Sequence, residues 1–115
     1  MELVAFVGAG KGTWAQIAGV INQGEWDNII LIGNEFAKNF KSQKDFEFIQ
    51  TSTSRIVELK EEILKKLKGK IKGTEVGLSI ASGDGKEHMA LISALLSLPV
   101  GIRFVALTIN GLVFM

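Results

Sequence analysis

The chain has no cysteine and only one histidine, and these two shortages exclude several kinds of chemistry. Without cysteine it forms no disulfide, offers no thiol nucleophile and builds no cysteine zinc site. The lone imidazole of His88 also argues against a transition-metal cluster. We therefore expect neither a bound metal nor another cofactor.

Excess charge and long apolar runs are also missing. Thirteen basic and twelve acidic residues leave a net charge of +1, which gives no global attraction to duplex nucleic acid or to a membrane surface. The lysine-rich segment 58–72 is either a solvated helix face or a local nucleic-acid patch. No apolar run approaches the roughly 20 residues that cross a bilayer, and the first residues lack the features of a signal peptide. We expect a cytoplasmic protein without a membrane partner.

The hydrophobic pattern predicts a single α/β domain over residues 1–115. Short apolar runs without alternation predict strands buried on both faces, at 3–7, 29–32, 46–49, 76–81 and 102–107. Helical patterns lie between them, at 14–21, 35–40, 56–67 and 87–98. The dipeptide Asn110-Gly111 predicts a hairpin and a sixth strand over 112–114. This alternation predicts a Rossmann-like, three-layer, doubly wound and mostly parallel sheet of order 3-2-1-4-5, with an antiparallel sixth strand at the edge.

Two glycine-rich loops follow the first and fourth strands of this predicted sheet. We name residues 8–13 the first glycine loop and residues 82–86 the second glycine loop. In the predicted order the chain reverses direction between these two central strands, and ligands bind in the crevice at such a point. Both loops should therefore converge at one ligand site, although they are distant in the sequence.

The first glycine loop has the composition of a phosphate-binding turn. Its candidate ligand-binding residues are Gly8, Gly10, Gly12 and Thr13, with Lys11 as a candidate charge. Glycines allow a ligand to approach the backbone, and the start of the next helix offers unpaired N–H groups. The pattern is neither a Walker A loop nor a complete dinucleotide fingerprint, so a plain tight turn remains an alternative. Thr13 and Gln16 have capping-box spacing, which predicts the helix start.

The second glycine loop also opens a helix at the end of a strand. Its candidate ligand-binding residues are Ser82, Gly83, Asp84 and Gly85, with Lys86 and His88 as candidate catalytic side chains. A cation such as Lys86 is unfavourable at a helix N-terminus unless a bound anion joins it. Asp84 and Glu87 have capping-box spacing, which gives them a structural alternative. His88 either points to the pocket or is a partly buried polar residue.

Three further features have mainly structural interpretations. Trp14 lies on the apolar face of the first helix and is predicted to belong to the core. Trp26 precedes the second strand and is predicted to be a packing lid. The hydroxyl cluster at 51–54 follows the third strand and is predicted to cap the next helix.

The second glycine loop resembles a motif of the CRISPR-associated Rossmann-fold (CARF) domains. In that family the fourth strand ends in a Ser/Thr-Gly-Gly-Thr-Lys-like loop before an apolar helix. Here the corresponding residues are Ser82-Gly83-Asp84-Gly85-Lys86, followed by Met89-Ala90-Leu91-Ile92. The match is good at Gly83 and Lys86 and departs at Asp84 and Gly85. In the first glycine loop, Gly8, Gly10 and Thr13 correspond to the family pattern.

The resemblance implies a homodimer that binds a cyclic oligoadenylate second messenger of type III CRISPR defence. A short chain without an effector domain resembles the ring nucleases of this family, which cleave the messenger without metal through the ribose 2′-OH. Lys86 and Lys11 would then stabilise charge, Thr13 and Ser82 would hold phosphate or ribose, and His88 would act as acid or base. A binder without turnover needs almost the same residues. The alternatives are a binding module for another nucleotide or phosphorylated metabolite, and a dimerisation scaffold whose glycine loops are only turns.

Overall fold

A computed structural model describes residues 1–115, and its six strands form one sheet. In chain order the strands are β1 (Glu2–Phe6), β2 (Ile29–Gly33), β3 (Glu47–Gln50), β4 (Glu75–Ser79), β5 (Gly101–Thr108) and β6 (Gly111–Phe114). Their order across the sheet is β3-β2-β1-β4-β5-β6. The first five strands are parallel, and β6 pairs antiparallel with β5. The predicted fold class and strand order are confirmed.

Three α-helices and two 3-10 helices connect the strands. The α-helices are α1 (Trp14–Gln23), α2 (Ile56–Leu67) and α3 (Gly85–Leu96), and the 3-10 helices cover Lys11–Thr13 and Glu35–Asn39. The predicted helix over 35–40 is thus a 3-10 turn, and the Asn34 side chain caps it by accepting the Phe36 N–H. The third helix begins two residues earlier than predicted, so Gly85 and Lys86 form its first turn.

The helices cover both faces of the sheet and produce two separate cores. Helices α2 and α3 pack on one face, where Val4 and Phe6 of β1 point. Helix α1 and the second 3-10 helix pack on the other face, which receives Leu3 and Ala5. Successive side chains of a strand point to opposite faces of the sheet. Residues 3–6 of β1 are all apolar and fully buried, so this strand is covered on both faces. None of the helices combines the length and the apolar character that crossing a bilayer requires.

Trp26 closes one end of the α1 core, as predicted for a packing lid. Its Nε1 donates to the Val20 carbonyl at 2.9 Å. The ring lies against Gly77, where a Cβ would come within 2.9 Å of it, and it meets Phe114 edge-on at 5.9 Å between centroids. A glycine at position 77 therefore makes room for the indole on a central strand.

Candidate functional site

The two glycine loops meet at the carboxyl ends of β1 and β4, as the sequence predicts. The contact is so close that a Cβ at Gly8 would lie 2.7 Å from both the Cα and the backbone nitrogen of Gly83. Gly83 itself has a φ of +100°, a conformation that favours glycine. Gly8 is thus required by the contact between the loops and Gly83 by its backbone conformation, independently of any ligand.

Ser82 joins the two loops from a fully buried position. Its hydroxyl accepts the Gly8 N–H at 2.8 Å and lies 2.8 Å from the Thr13 hydroxyl. Its carbonyl is 2.7 Å from His88 Nε2. A carbonyl only accepts, so Nε2 carries a proton, and Nδ1 makes no hydrogen bond within the chain. Ser82 therefore joins the two loops, and His88 fixes the Ser82 carbonyl from helix α3.

The first glycine loop is fixed from its other side by Trp14. The indole Nε1 donates to the Gly8 carbonyl at 2.9 Å, and the half-buried ring packs against Phe40. The predicted capping box between Thr13 and Gln16 is wrong, because the Thr13 side chain makes no cap hydrogen bond to α1. Its hydroxyl lies instead between Ser82 and the Gly10 carbonyl, 3.2 Å away. The role of Trp14 in holding the loop was missed at the level of sequence.

The surface where the loops meet is a concave site that we name the glycine junction. It encloses about 360 Å³, comparable with small-molecule sites, and it is lined by Gly8, Ala9, Gly10, Thr13, Gly83, Asp84 and Glu87. Eight backbone N–H groups of the two loops make no hydrogen bond within the chain, those of Ala9, Gly10, Lys11, Gly12, Ser82, Gly83, Gly85 and Lys86. Unpaired N–H groups at helix starts are the usual ligands of phosphate.

Three glycines beside these free N–H groups have no structural need to be glycine. A Cβ at Gly10, Gly12 or Gly85 would meet no atom within 4 Å, and none of the three has a positive φ. Side chains at these positions would therefore fill open space in front of the loops. Of the three, Gly10 lines the glycine junction, so its missing side chain leaves room there.

Asp84 and Glu87 form the predicted capping box at the start of α3. The Glu87 N–H donates to Asp84 Oδ1 at 2.8 Å, and the Asp84 N–H donates to Glu87 Oε1 at 2.9 Å. Each carboxylate keeps one oxygen outside these two bonds. Both side chains also line the glycine junction, so it presents hydrogen-bond acceptors as well as free N–H donors.

Neither candidate lysine lines the glycine junction. The Lys11 ammonium lies over the rings of Trp14 and Phe36, at 5.7 and 5.4 Å from their centroids. Lys86 lines a neighbouring cleft on the other side of Asp84 and Glu87. The structure thus separates the two lysines that the sequence assigns to one site.

We name this neighbouring space the hydroxyl cleft. It encloses about 280 Å³ and is lined by Asn34, Thr51, Ser52, Thr53, Ser54, Leu59, Asp84, Lys86 and Glu87. The prediction that residues 51–54 cap a helix is wrong: the residue before α2 is Arg55, and no side chain caps that helix. The hydroxyl cluster faces the start of α3 instead. Four hydroxyl residues directly after a strand were the available signal for this cleft.

Glu62 of α2 holds the hydroxyl cluster in place. Its carboxylate accepts the Ser52 N–H at 2.9 Å and the Ser52 hydroxyl at 2.8 Å, and Lys66 approaches it at 3.1 Å. Partial burial acts to raise the pKa of this carboxyl, but the hydrogen bonds from Ser52 and the charge of Lys66 outweigh it. The pKa of Glu62 is consequently lowered from its ordinary value of 4.5.

The comparisons with known proteins give no identification. No protein-family model matches the chain. The search of curated proteins likewise found no match.

Proposed function

We propose that the chain binds a nucleotide at the glycine junction, and that this nucleotide is a cyclic oligoadenylate, as the CARF resemblance implies. One observation carries the proposal: backbone N–H groups of the two loops have no partner in the chain, and three of the residues that carry them, Ala9, Gly10 and Gly83, line one open space. The site lies at the point between β1 and β4 where open α/β sheets bind ligands.

The donors and acceptors of the junction suit a ribose and a phosphate together. Free N–H groups of Ala9 and Gly10 are complementary to phosphate oxygens. The remaining carboxylate oxygens of Asp84 and Glu87 are complementary to ribose hydroxyls, which donate hydrogen bonds. A bare anion would use only the first set and would be repelled by the second. This favours a nucleotide over inorganic phosphate at the junction.

A two-fold dimer is the second part of the proposal. Phe104, Val113 and Met115 lie on one face of the β5–β6 hairpin and are 37%, 41% and 80% exposed. Ile102 on the same face packs against the α2–α3 core, so the exposed side chains continue that core beyond its helices. Exposed apolar side chains in one patch favour an interface.

The position of this patch supports a ligand shared by two chains. Phe104 and Met115 line an apolar groove of about 460 Å³ together with Ile80 and Ala81, which directly precede the second glycine loop. An isologous contact on this groove would bring the two glycine junctions near the two-fold axis. A cyclic oligonucleotide has matching symmetry.

Cleavage of the ring is a further step that the proposal leaves to experiment. The 2′-hydroxyl would attack the adjacent phosphorus and lose its proton, and the bond to the 5′-oxygen would break as that oxygen takes up a proton. The product is a 2′,3′-cyclic phosphate, and orientation with charge stabilisation can drive the step. His88 Nε2 is committed to the Ser82 carbonyl, so an acid–base role falls to its Nδ1.

Calorimetric titration with cyclic tetra-adenylate and cyclic hexa-adenylate tests the binding, with adenosine as the control without phosphate. We expect one of the rings to bind at least tenfold more tightly than adenosine. Binding of other nucleotides but of neither ring would favour the alternative of a different phosphorylated ligand. Absence of binding by every nucleotide would refute the proposed function. Incubation with chelator, followed by a search for linear products, decides between binding and cleavage.

A further inference from the structure

We propose that the hydroxyl cleft is a second phosphate subsite, which extends the ligand of the glycine junction by one phosphorylated unit. The inference rests on the proposed function for the identity of the first unit. The two spaces are adjacent because Asp84 and Glu87 line both of them. A ligand that crosses this pair of carboxylates would reach the free loop N–H groups on one side and Lys86 on the other.

Thr51 is the observation that points to a ligand in the cleft. The residue is only 5% exposed and lines the cleft, and its hydroxyl makes no hydrogen bond within the chain. Unlike the Ser79 hydroxyl, which is unpaired and sealed from solvent, the Thr51 hydroxyl reaches the cleft and is open to a ligand there. The Thr51 backbone N–H is fixed on the Gly33 carbonyl at 2.8 Å, which holds the residue at the end of the strand pair.

The neighbouring groups fit a phosphate that carries a sugar. Lys86 supplies the charge, and it lies in the first turn of α3, where a cation is unfavourable without an anion. Two hydroxyls of the cluster already have partners: that of Ser52 donates to Glu62, and that of Thr53 accepts the Arg55 N–H. Those of Thr51 and Ser54 remain for a ligand. The ligand class is therefore a nucleotide with at least two phosphates separated by a nucleoside, and not a mononucleotide.

Amide NMR titration of the full chain separates the two subsites. The probes are adenosine 5′-monophosphate and the linear dinucleotide 5′-pApA. The monophosphate should shift the amides of Ala9, Gly10 and Gly83, whereas pApA should also shift those of residues 51–54 and Lys86. Equal sets of shifts for the two probes would overturn the second subsite.

The variant Thr51→Val sharpens the test because it keeps the shape and removes the unpartnered hydroxyl. It should weaken pApA binding by about two- to tenfold, the range of one hydrogen bond, and leave monophosphate binding and thermal stability unchanged. Thr74→Val, at an exposed position before β4, is the matched control and should change neither affinity. Unchanged pApA affinity in Thr51→Val, or equal weakening of both probes, would overturn the inference.

Inorganic phosphate is a third probe, and it separates a failure of this inference from a failure of the proposed function. If no adenylate shifts the junction amides, the proposed function fails, and inorganic phosphate is then titrated. Shifts of residues 51–54 that disappear in Lys86→Gln would leave the cleft standing as a phosphate site. Their absence would overturn it as well.

Discussion

Replacing Gly8 by alanine tests whether the contact of the two loops determines the architecture of the site. The new Cβ would lie 2.7 Å from the Cα and nitrogen of Gly83 and 3.3 Å from the Ser82 hydroxyl. Carbon atoms in favourable contact are about 3.5–4.0 Å apart. The clashing atoms are backbone, so a side-chain rotation cannot relieve the clash. The loops must separate, or β1 must shift against β4.

The loss of stability expected for Gly8→Ala follows from these two responses. Overpacking in a close-packed region costs about 1–3 kcal/mol. Separation of the loops also breaks the hydrogen bond from the Gly8 N–H to Ser82, which is worth about 1 kcal/mol net. We therefore expect Gly8→Ala to lower the free energy of unfolding by about 2–4 kcal/mol.

Gly10→Ala is the matched control in the same loop. Its Cβ would meet no atom within 4 Å, and its φ of −77° suits alanine. Reduced freedom of the unfolded chain should stabilise it by about 0.4–1 kcal/mol. The same methyl would crowd the free N–H groups, so nucleotide binding should weaken while stability does not.

Urea denaturation of the wild type and both variants measures these differences, with calorimetric titration of the nucleotide beside it. If the free energy of unfolding of Gly8→Ala lies within about 0.5 kcal/mol of the wild-type value, the loops are not in tight contact. Neutral surface substitutions usually fall within this range. If Gly10→Ala binds nucleotide as tightly as the wild type, the open space at this glycine has no role in binding.

Three other predictions concern residues around the site. The lowered pKa of Glu62 gives stability that is complete above its unfolded pKa and is lost as the pH falls through the folded pKa. The urea midpoint of Glu62→Gln should thus lie below that of the wild type at neutral pH and merge with it in acid; a constant gap would refute this. His88→Ala should lower the free energy of unfolding by about 1 kcal/mol, because the Ser82 carbonyl loses its hydrogen bond. An unchanged urea midpoint with slower ring cleavage would instead favour an acid–base role. Val113→Lys should turn a dimer into a folded monomer in light scattering, and equal masses for both proteins would exclude this face as the interface.

The strand order could be predicted from the sequence because the apolar pattern is nearly uniform. The strands β1, β2 and β4 are buried on both faces, and that pattern belongs to central parallel strands. The hairpin at Asn110-Gly111 also formed as predicted, with Gly111 at a φ of +106°. The convergence of the two glycine loops then followed from topology alone.

The details of the site could not be predicted because they depend on the direction in which each side chain leaves the backbone. Lys11 and Lys86 occupy equivalent positions in their loops, yet one lies over aromatic rings and the other in the hydroxyl cleft. Thr13 has the spacing of a helix cap, but a competing buried partner, Ser82, takes its hydroxyl. Residue spacing along the chain carries no information about such partners from distant segments.

The pairing of β1 with β4 has a consequence for how the chain folds. Glu2 pairs with Val76, so the central contact of the sheet joins opposite halves of the sequence, and its loop must close before any of its hydrogen bonds form. Parallel sheets of this kind fold slowly. The hairpin of β5 and β6 is local and can form in about 1–10 μs. Destabilising substitutions at the β1–β4 contact should therefore slow refolding.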